Sequence, residues 1–376
     1  MNPDLTIILL IKDRPNFVLR WLKYHNENPP SFPVIITDSG TDDTIENILK
    51  DRSVYPHIRY TYVRYSRPTQ PGNFGHVADL NQKIHAALRM VKTKYAVLES
   101  DDDFNLDDGL LRAVNFLNAH PEYVVSRGEV YDFRIRGKDA PNKAENVYGT
   151  LTGARRIYTN PSNTGKTALA RALEFSEYSD SLWLDVSRTD ELTRAYETLL
   201  NSNIVDRDTG ASLVSYLLVA EGKVHRGEGL YILHQSHLGG WAHALLQINP
   251  LETVLSESWP KDITIMFDIV AARIAEHDGI SVSSVRYKIM QYYIYYMLGG
   301  VLIGGRVSRQ RTNKVKPSRI FSLSNMLSKN NKIRIFLKQL YENIREHKEE
   351  ARSNAVIKSS GHQPEFEKIR NFLLKK

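Results

Sequence analysis

The stretch YAVLESDDDF, Tyr95–Phe104, decides how this chain is read. Tyr95, Ala96, Val97 and Leu98 form a continuous apolar run of strand length, as expected of a strand buried on both faces. Asp101, Asp102 and Asp103 follow almost at once. Adjacent carboxylates at a strand end repel one another. The bland reading is a solvated loop, with Asp107 and Asp108 capping a helix marked by Leu110, Leu111, Val114 and Leu117. The sharper reading, which we prefer, is a set of hard oxygen ligands for Mg2+ or Mn2+, since a cation would relieve that repulsion.

Working outward, the same unit recurs. Leu5–Ile11 is another continuous apolar run, followed by Lys12, Asp13, Arg14 and Pro15. Val34–Thr37 is a third, followed by Asp38, Ser39, Gly40, Thr41, Asp42 and Asp43. Ile58–Tyr65 reads as a further strand. Between these runs lie helical stripes: Phe17, Val18, Trp21, Leu22 and His25, then Ile45, Ile48 and Leu49, then Val77, Leu80, Ile84, Leu88 and Val91. Strands separated by helical patterns imply parallel crossovers, hence an α/β sheet. Ligands in such sheets bind beyond the carboxyl ends of the strands, and those ends are polar and acidic here.

Composition narrows the classes. The chain has 376 residues, 41% hydrophobic and 25% charged, which excludes a disordered chain, a collagen and a polytopic membrane protein. It has no cysteine, so disulfides, thiolate catalysis, zinc fingers and iron–sulfur clusters are excluded. The N-terminal residues show no basic segment or cleavage site, so a cytoplasmic location without a signal peptide is expected. The net charge of +7 belongs to one end. Residues 306–376 carry 18 Lys and Arg against 6 Asp and Glu, and the other 305 residues carry 32 against 37. Such a body is not that of a nucleic-acid binder, and the basic tail needs its own explanation.

The motifs resemble, in order, the family 2-like nucleotide-sugar glycosyltransferases of GT-A fold. IILLIKDRP (Ile7–Pro15) resembles that family's first strand and its NRP turn. VIITDSGTDD (Val34–Asp43) resembles its strand ending in an aspartate-rich loop. GNFGHVADLNQKIHAA (Gly72–Ala87) resembles its N-x-G…N helix, and YAVLESDDDF resembles the strand with the D-x-D motif. Pro121, Glu122, Tyr123 and Gly128 point to a bacterial subgroup whose strand ends in DDDF. The likeness covers residues 5–135 well and 200–240 weakly.

The resemblance implies a GT-A fold, α/β with a Rossmann-like, mostly parallel sheet and a helical C-terminal extension. It implies a donor site for a nucleoside-diphosphate sugar, UDP-linked in this family. Asp38 would accept a hydrogen bond from the base, with Asp13 and Arg14 nearby. Asp101, Asp102 and Asp103 would hold Mn2+ or Mg2+ at the diphosphate, and which two of the three bind is open. His234 or His237, after a later strand, could add a third ligand; a structural histidine is an equal reading. An inverting enzyme also needs an acceptor-side carboxylate. The corresponding segment is Asn203–Gly222, with Asp208 preferred over Asp206 and Asp180 as base; helix capping by Asp208 is the alternative. The acceptor would be a hydroxyl of a glycan or lipid-linked molecule. A nucleotidyltransferase, or a non-catalytic glycan- or membrane-binding protein on this fold, are the rival readings.

The implied organisation is a catalytic domain over 1–240, a helical region over 241–305 and a basic linker with amphipathic helices over 306–376. Asn163–Thr167 imitates the end of a phosphate-binding P-loop, but Asn160 stands where the motif needs glycine. Arg155, Arg156 and Lys166 read as a solvated basic loop. Ile289–Gly305 is uncharged but short, tyrosine-rich and glycine-interrupted, so a buried helix is expected rather than a membrane span. The tail stripes, Ile333, Phe336, Leu337, Leu340 and Ile344, then Phe366, Ile369, Phe372 and Leu373, suit either docking on the body or peripheral attachment to an anionic membrane's inner face.

Overall fold

The computed structural model describes residues 4–65, 73–136, 146–157, 160–178, 181–237, 257–302, 351 and 363–375. Its first half alternates as the apolar runs require: β1 (Leu5–Ile11), α1 (Pro15–Glu27), β2 (Val34–Asp38), α2 (Thr44–Leu49), β3 (Tyr60–Arg64), α3 (Asn73–Leu88) and β4 (Tyr95–Ser100). There follow β5 (Phe104–Asn105), α4 (Asp107–Ala119), β6 (Tyr123–Arg136), β7 (Thr150–Ile157), α5 (Ala168–Tyr178) and β8 (Val186–Arg188). Then come α6 (Thr189–Asn201), α7 (Arg207–Glu221), β9 (Lys223–Gln235), α8 (Trp259–Asp278), α9 (Val282–Leu302) and α10 (Gln363–Leu374).

The strands form one sheet in the order β3-β2-β1-β4-β8-β6-β9-β5, with β7 paired to β6. β3, β2, β1 and β4 are mutually parallel. β8 then runs antiparallel between β4 and β6, and β6 and β9 are again parallel. The expected α/β architecture with a helical C-terminal part is the one that forms.

Strict alternation along β1 explains why its sequence is apolar throughout. Ile8 and Leu10 face a core built with α3 and α5–α9. Leu5, Ile7, Leu9 and Ile11 face a second core built with α1, α2 and α4. With both faces covered, every position buries a side chain, at about 25 cal/mol per Å2 of apolar area removed from water. α4 lies tight on β9 because Gly109 has no side chain; a Cβ there would stand 2.7 Å from the Tyr231 Cα.

Several expectations need correction. Asp107 and Asp108 do not cap α4: Leu106 holds the N-cap position, and Asp107 reaches across to the Ser31 amide at 3.1 Å. The α7 cap is Asp206, whose carboxylate takes the Thr209 N–H at 2.7 Å, so Asp208 is free of that duty. In the part of α9 up to Tyr295, Val285 and Ile289 are enclosed, whereas Tyr295 is 72% exposed. Among the described residues no helix is long and apolar enough to cross a membrane.

The P-loop imitation is explained. The Thr164 and Gly165 amides both donate to Glu174 of this chain, and Asn163 is bridged to Val224 by backbone bonds. Arg155 and Arg156 lie on β7, where they pair with Asp132 and Glu129. The end of the tail docks on the body. Phe366, Ile369, Phe372 and Leu373 of α10 are buried with Tyr24, Phe104, Phe133 and Leu233 in a third core. The stripe at 333–344, the linker at 306–319 and Asp180 lie outside the described residues.

Candidate active site

The register of the parallel strands brings three strand ends to one edge. Ile11 pairs with Asp38, and Leu10 pairs with Ser100. Lys12–Pro15, Asp38–Asp42 and Asp101–Asp103 therefore converge. Between the first two lies an open cleft lined by Lys12, Asp13, Arg14, Asp38, Gly40 and Ile45, among others. Asp13 sits at its mouth with φ 50°, a left-handed conformation that a non-glycine residue rarely adopts. Its carboxylate repays part of the cost by accepting from the Thr41 amide and hydroxyl, the latter at 2.9 Å.

Asp38 is not the solvated loop carboxylate that its position after an apolar run suggests. It ends β2 and is 3% exposed. It accepts from the Gly40 amide at 2.7 Å, the Tyr62 hydroxyl at 2.7 Å and Arg64 at 2.8 Å. Beside it Lys83 of α3, also buried, donates to the Ile11 carbonyl and the Ser39 hydroxyl, both at 3.0 Å. Burial lowers the Lys83 ammonium to about 8, against the pull of Asp38 and Asp101.

The acidic run is buried and already furnished with cations. Arg14 bridges Asp101 Oδ1 and Asp102 Oδ2, the latter at 2.7 Å. His237 meets the same Asp102 oxygen at 2.9 Å and stacks on Phe17. Arg20 donates to the Asp102 carbonyl and packs against Phe17 and Phe104. His234 meets Asp103 at 2.9 Å, because β5 pairs Phe104 with Leu233.

The electrostatics follow. Burial pushes the Asp101 carboxyl up to about 7, with Arg14 pulling against it. Burial also pushes Asp102 up, but His237 and Arg14 outweigh it and hold that carboxyl well below the usual range. Burial pushes Asp103 up. It opposes the charge on His234, yet Asp103 wins and raises the imidazole to about 9.

The run is therefore less repulsive than three bare carboxylates would be, and among the described residues no group of three or more acids and histidines is arranged as a metal site. One observation does fit a cation. Asp101 Oδ2 is buried and has no hydrogen-bond partner, a costly state for a carboxylate oxygen. Its hardness and charge suit Mg2+ or Mn2+.

The structure thus brings together Asp13, Arg14, Asp38, Asp101, Asp102, Asp103 and His234. Asp208 stands apart: it is the second residue of α7 and pairs with Arg207. The chain path still puts it at the same end of the molecule. Thr189 bonds to Thr93 and Lys94 below β4, α6 climbs from there, and α7 descends to β9, which climbs again to His234. Four residues escaped the sequence reading: Arg20, Lys83, Glu99 and Asp132. Asp132 faces His234 across the β6–β9 pairing and takes the Ser236 hydroxyl. Lys83 and Glu99 stand inside motif segments; the other two carry no local signal.

No protein-family model matches the chain, and no curated protein matches it in sequence. Among solved structures it is similar to S. aureus TarS 1–349, with 13% identity and a TM-score of 0.43 over 86% of this chain and 80% of that one. The same protein in complex with UDP-GlcNAc gives 13% identity and a TM-score of 0.45 over the same shares. Its complex with UDP gives 14% and 0.40. A likeness of this degree carries no argument about chemistry.

Proposed function

We propose that the chain is a glycosyltransferase that moves a sugar from a nucleoside-diphosphate sugar to a hydroxyl of a glycan or lipid-linked acceptor, with inversion. The observation that carries the proposal is the convergence, at one sheet edge, of a small cleft of mixed polar and apolar lining with a buried acidic run holding one unpartnered oxygen. The cleft takes the nucleoside. Asp38 and Asp13 offer acceptors to the base, and Gly40 lets it lie against the backbone. Arg14 supplies positive charge where the diphosphate leaves.

Asp101, Asp102 and Asp103, with His234 beside them, would hold Mn2+ or Mg2+. When bound, that ion supplies neutralisation of charge on the leaving group. The acceptor hydroxyl attacks the anomeric carbon, the bond from that carbon to the diphosphate oxygen breaks, and the hydroxyl proton passes to a carboxylate. We assign that carboxylate to Asp208. Asp132 competes with it on proximity to the acidic run.

The test is turnover of a panel of nucleotide sugars, with and without glycan acceptors. Release of nucleoside diphosphate from one of them, lost in Asp101→Asn, is the expected result. Binding without turnover would leave a non-catalytic protein, and pyrophosphate release from a nucleoside triphosphate plus sugar phosphate would make it a nucleotidyltransferase. Asp208→Asn should slow transfer by about 10²–10⁴-fold while still binding donor. If Asp132→Asn does so instead, the base is Asp132.

A further inference from the structure

Arg14 stands where two demands meet. It belongs to the turn between β1 and α1, at the N-cap position, and its side chain makes no cap bond. The guanidinium is therefore available to the acidic run, where it spans Asp101 and Asp102. It also lines the cleft and keeps 26% of its side chain exposed. Asp101, by contrast, is fully enclosed, and its second oxygen has no partner.

We propose that Arg14 is a built-in counter-ion that a divalent cation must displace, and that the displaced guanidinium then binds the donor's diphosphate. The proposal rests on the glycosyltransferase reading above and adds a residue-level coupling to it. An entering cation and the guanidinium compete for Asp101 and Asp102, so the cation's apparent affinity is reduced by the stability of the pair it breaks. Once released, Arg14 remains on the wall of the cleft. A guanidinium matches phosphate oxygens with two parallel N–H donors, as it matches carboxylate oxygens. Arg20 cannot take this role: it is wholly buried and committed to Gln235 and to the Asp102 and Val147 carbonyls. Lys83 cannot either, since it is buried and ties the ends of β1 and β2 together.

Two affinities should move in opposite directions in the full-length Arg14→Met protein. Calorimetry with Mn2+ alone should show tighter binding, by about tenfold. Calorimetry with UDP in saturating Mn2+, where Arg14 is released, should show weaker binding, by about tenfold or more. A residue that only supports the fold would weaken both. Arg14→Lys keeps the charge but loses the fork, so it should fall between parent and Arg14→Met on both scales, and it serves if Arg14→Met does not fold. Unchanged or weaker Mn2+ binding overturns the proposal, as does unchanged UDP binding. Absence of Mn2+ binding by parent and variants alike also overturns it, while turnover of nucleotide sugars in chelator would keep the glycosyltransferase reading. A parent that binds Mn2+ but no UDP sinks both.

Discussion

Among the described residues, two clusters of buried acid and arginine are built differently. In the sheet interior Asp185 is fully enclosed, with Arg127 on one carboxylate oxygen at 3.4 Å and Arg226 on the other at 2.7 Å. Both oxygens are used, and the residues come from β6, β9 and the approach to β8. At the sheet edge the acidic run has more charge, a partner that is partly exposed, and an oxygen left over. The first cluster locks strands; the second stores a vacancy in its bonding beside a cleft. Buried charge alone therefore says little about function, whereas an unpartnered acceptor next to a partly exposed cation says more.

The contrast breaks most readily through stability. Removing one member of a buried pair strands the other, at a cost of about 3–5 kcal/mol. Asp185→Ala should therefore lose that much in denaturant unfolding, and the protein that remains folded should bind UDP as the parent does. Asp101→Asn should cost on the order of 1 kcal/mol, because it removes a like charge, yet it should lose turnover. An Asp101→Asn protein less stable than Asp185→Ala would reverse the assignment.

Next in size is a pH effect beneath the acidic run. Glu99, the residue before Ser100, is fully buried; it accepts from the Trp21 indole at 3.0 Å and leaves Oε2 without a partner. Burial pushes its carboxyl from 4.5 to about 8. The unfolded chain gives up this proton near 4.5 and the folded chain keeps it to about 8. Stability should therefore fall with rising pH across that window, by up to about 1.4 kcal/mol per pH unit, and level off above it. Glu99→Gln, neutral throughout, should flatten that part of the curve. Thermal unfolding of both proteins between pH 5 and 8.5 checks it, and parallel curves would refute the assignment.

A smaller effect is expected at Asp38, which the strand-then-loop pattern presents as dispensable to the fold. Asp38→Ala leaves the Tyr62 hydroxyl and one nitrogen of Arg64 without their acceptor, so it should cost about 1–3 kcal/mol as well as weakening uridine nucleotide binding. Full stability with weakened binding would restore the loop reading. The smallest effect concerns the tail. The apolar face of α10 is spent on the body, so Lys368→Gln combined with Arg370→Gln should leave co-sedimentation with phosphatidylserine vesicles unchanged. A clear loss would show that this helix contacts lipid through its polar side.

The sheet was legible because parallel strands covered on both faces must be apolar at every position, and Leu5–Ile11, Val34–Thr37 and Tyr95–Leu98 have few other uses. The carboxyl edge was legible for the same reason: polar residues directly after such runs have one place to go. What surrounds the acids was not. Arg20 reaches Asp102 across 82 positions, and His234 and His237 reach the run across more than 130; no local spacing encodes such pairings. The repulsion argument assumed bare carboxylates, and those distant hydrogen-bonding partners weaken it. Capping was misplaced by one or two residues at α4 and α7, where several aspartates compete and backbone geometry chooses among them.

The docking of α10 also orders events in time. Phe372 packs against Tyr24, which packs against Phe104, the residue that ends the acidic run. Phe372 is synthesised 348 residues after Tyr24, which at about 5–20 residues per second is a delay of about 17–70 s. β9, the partner of β5, is complete at Gln235, and from then until α10 emerges the sheet around Asp101–Asp103 can form but has one wall of its core missing. The site is thus among the last parts of the nascent chain to be closed off from water, and a chain cut short of residue 363 would carry every proposed site residue on an unsealed sheet.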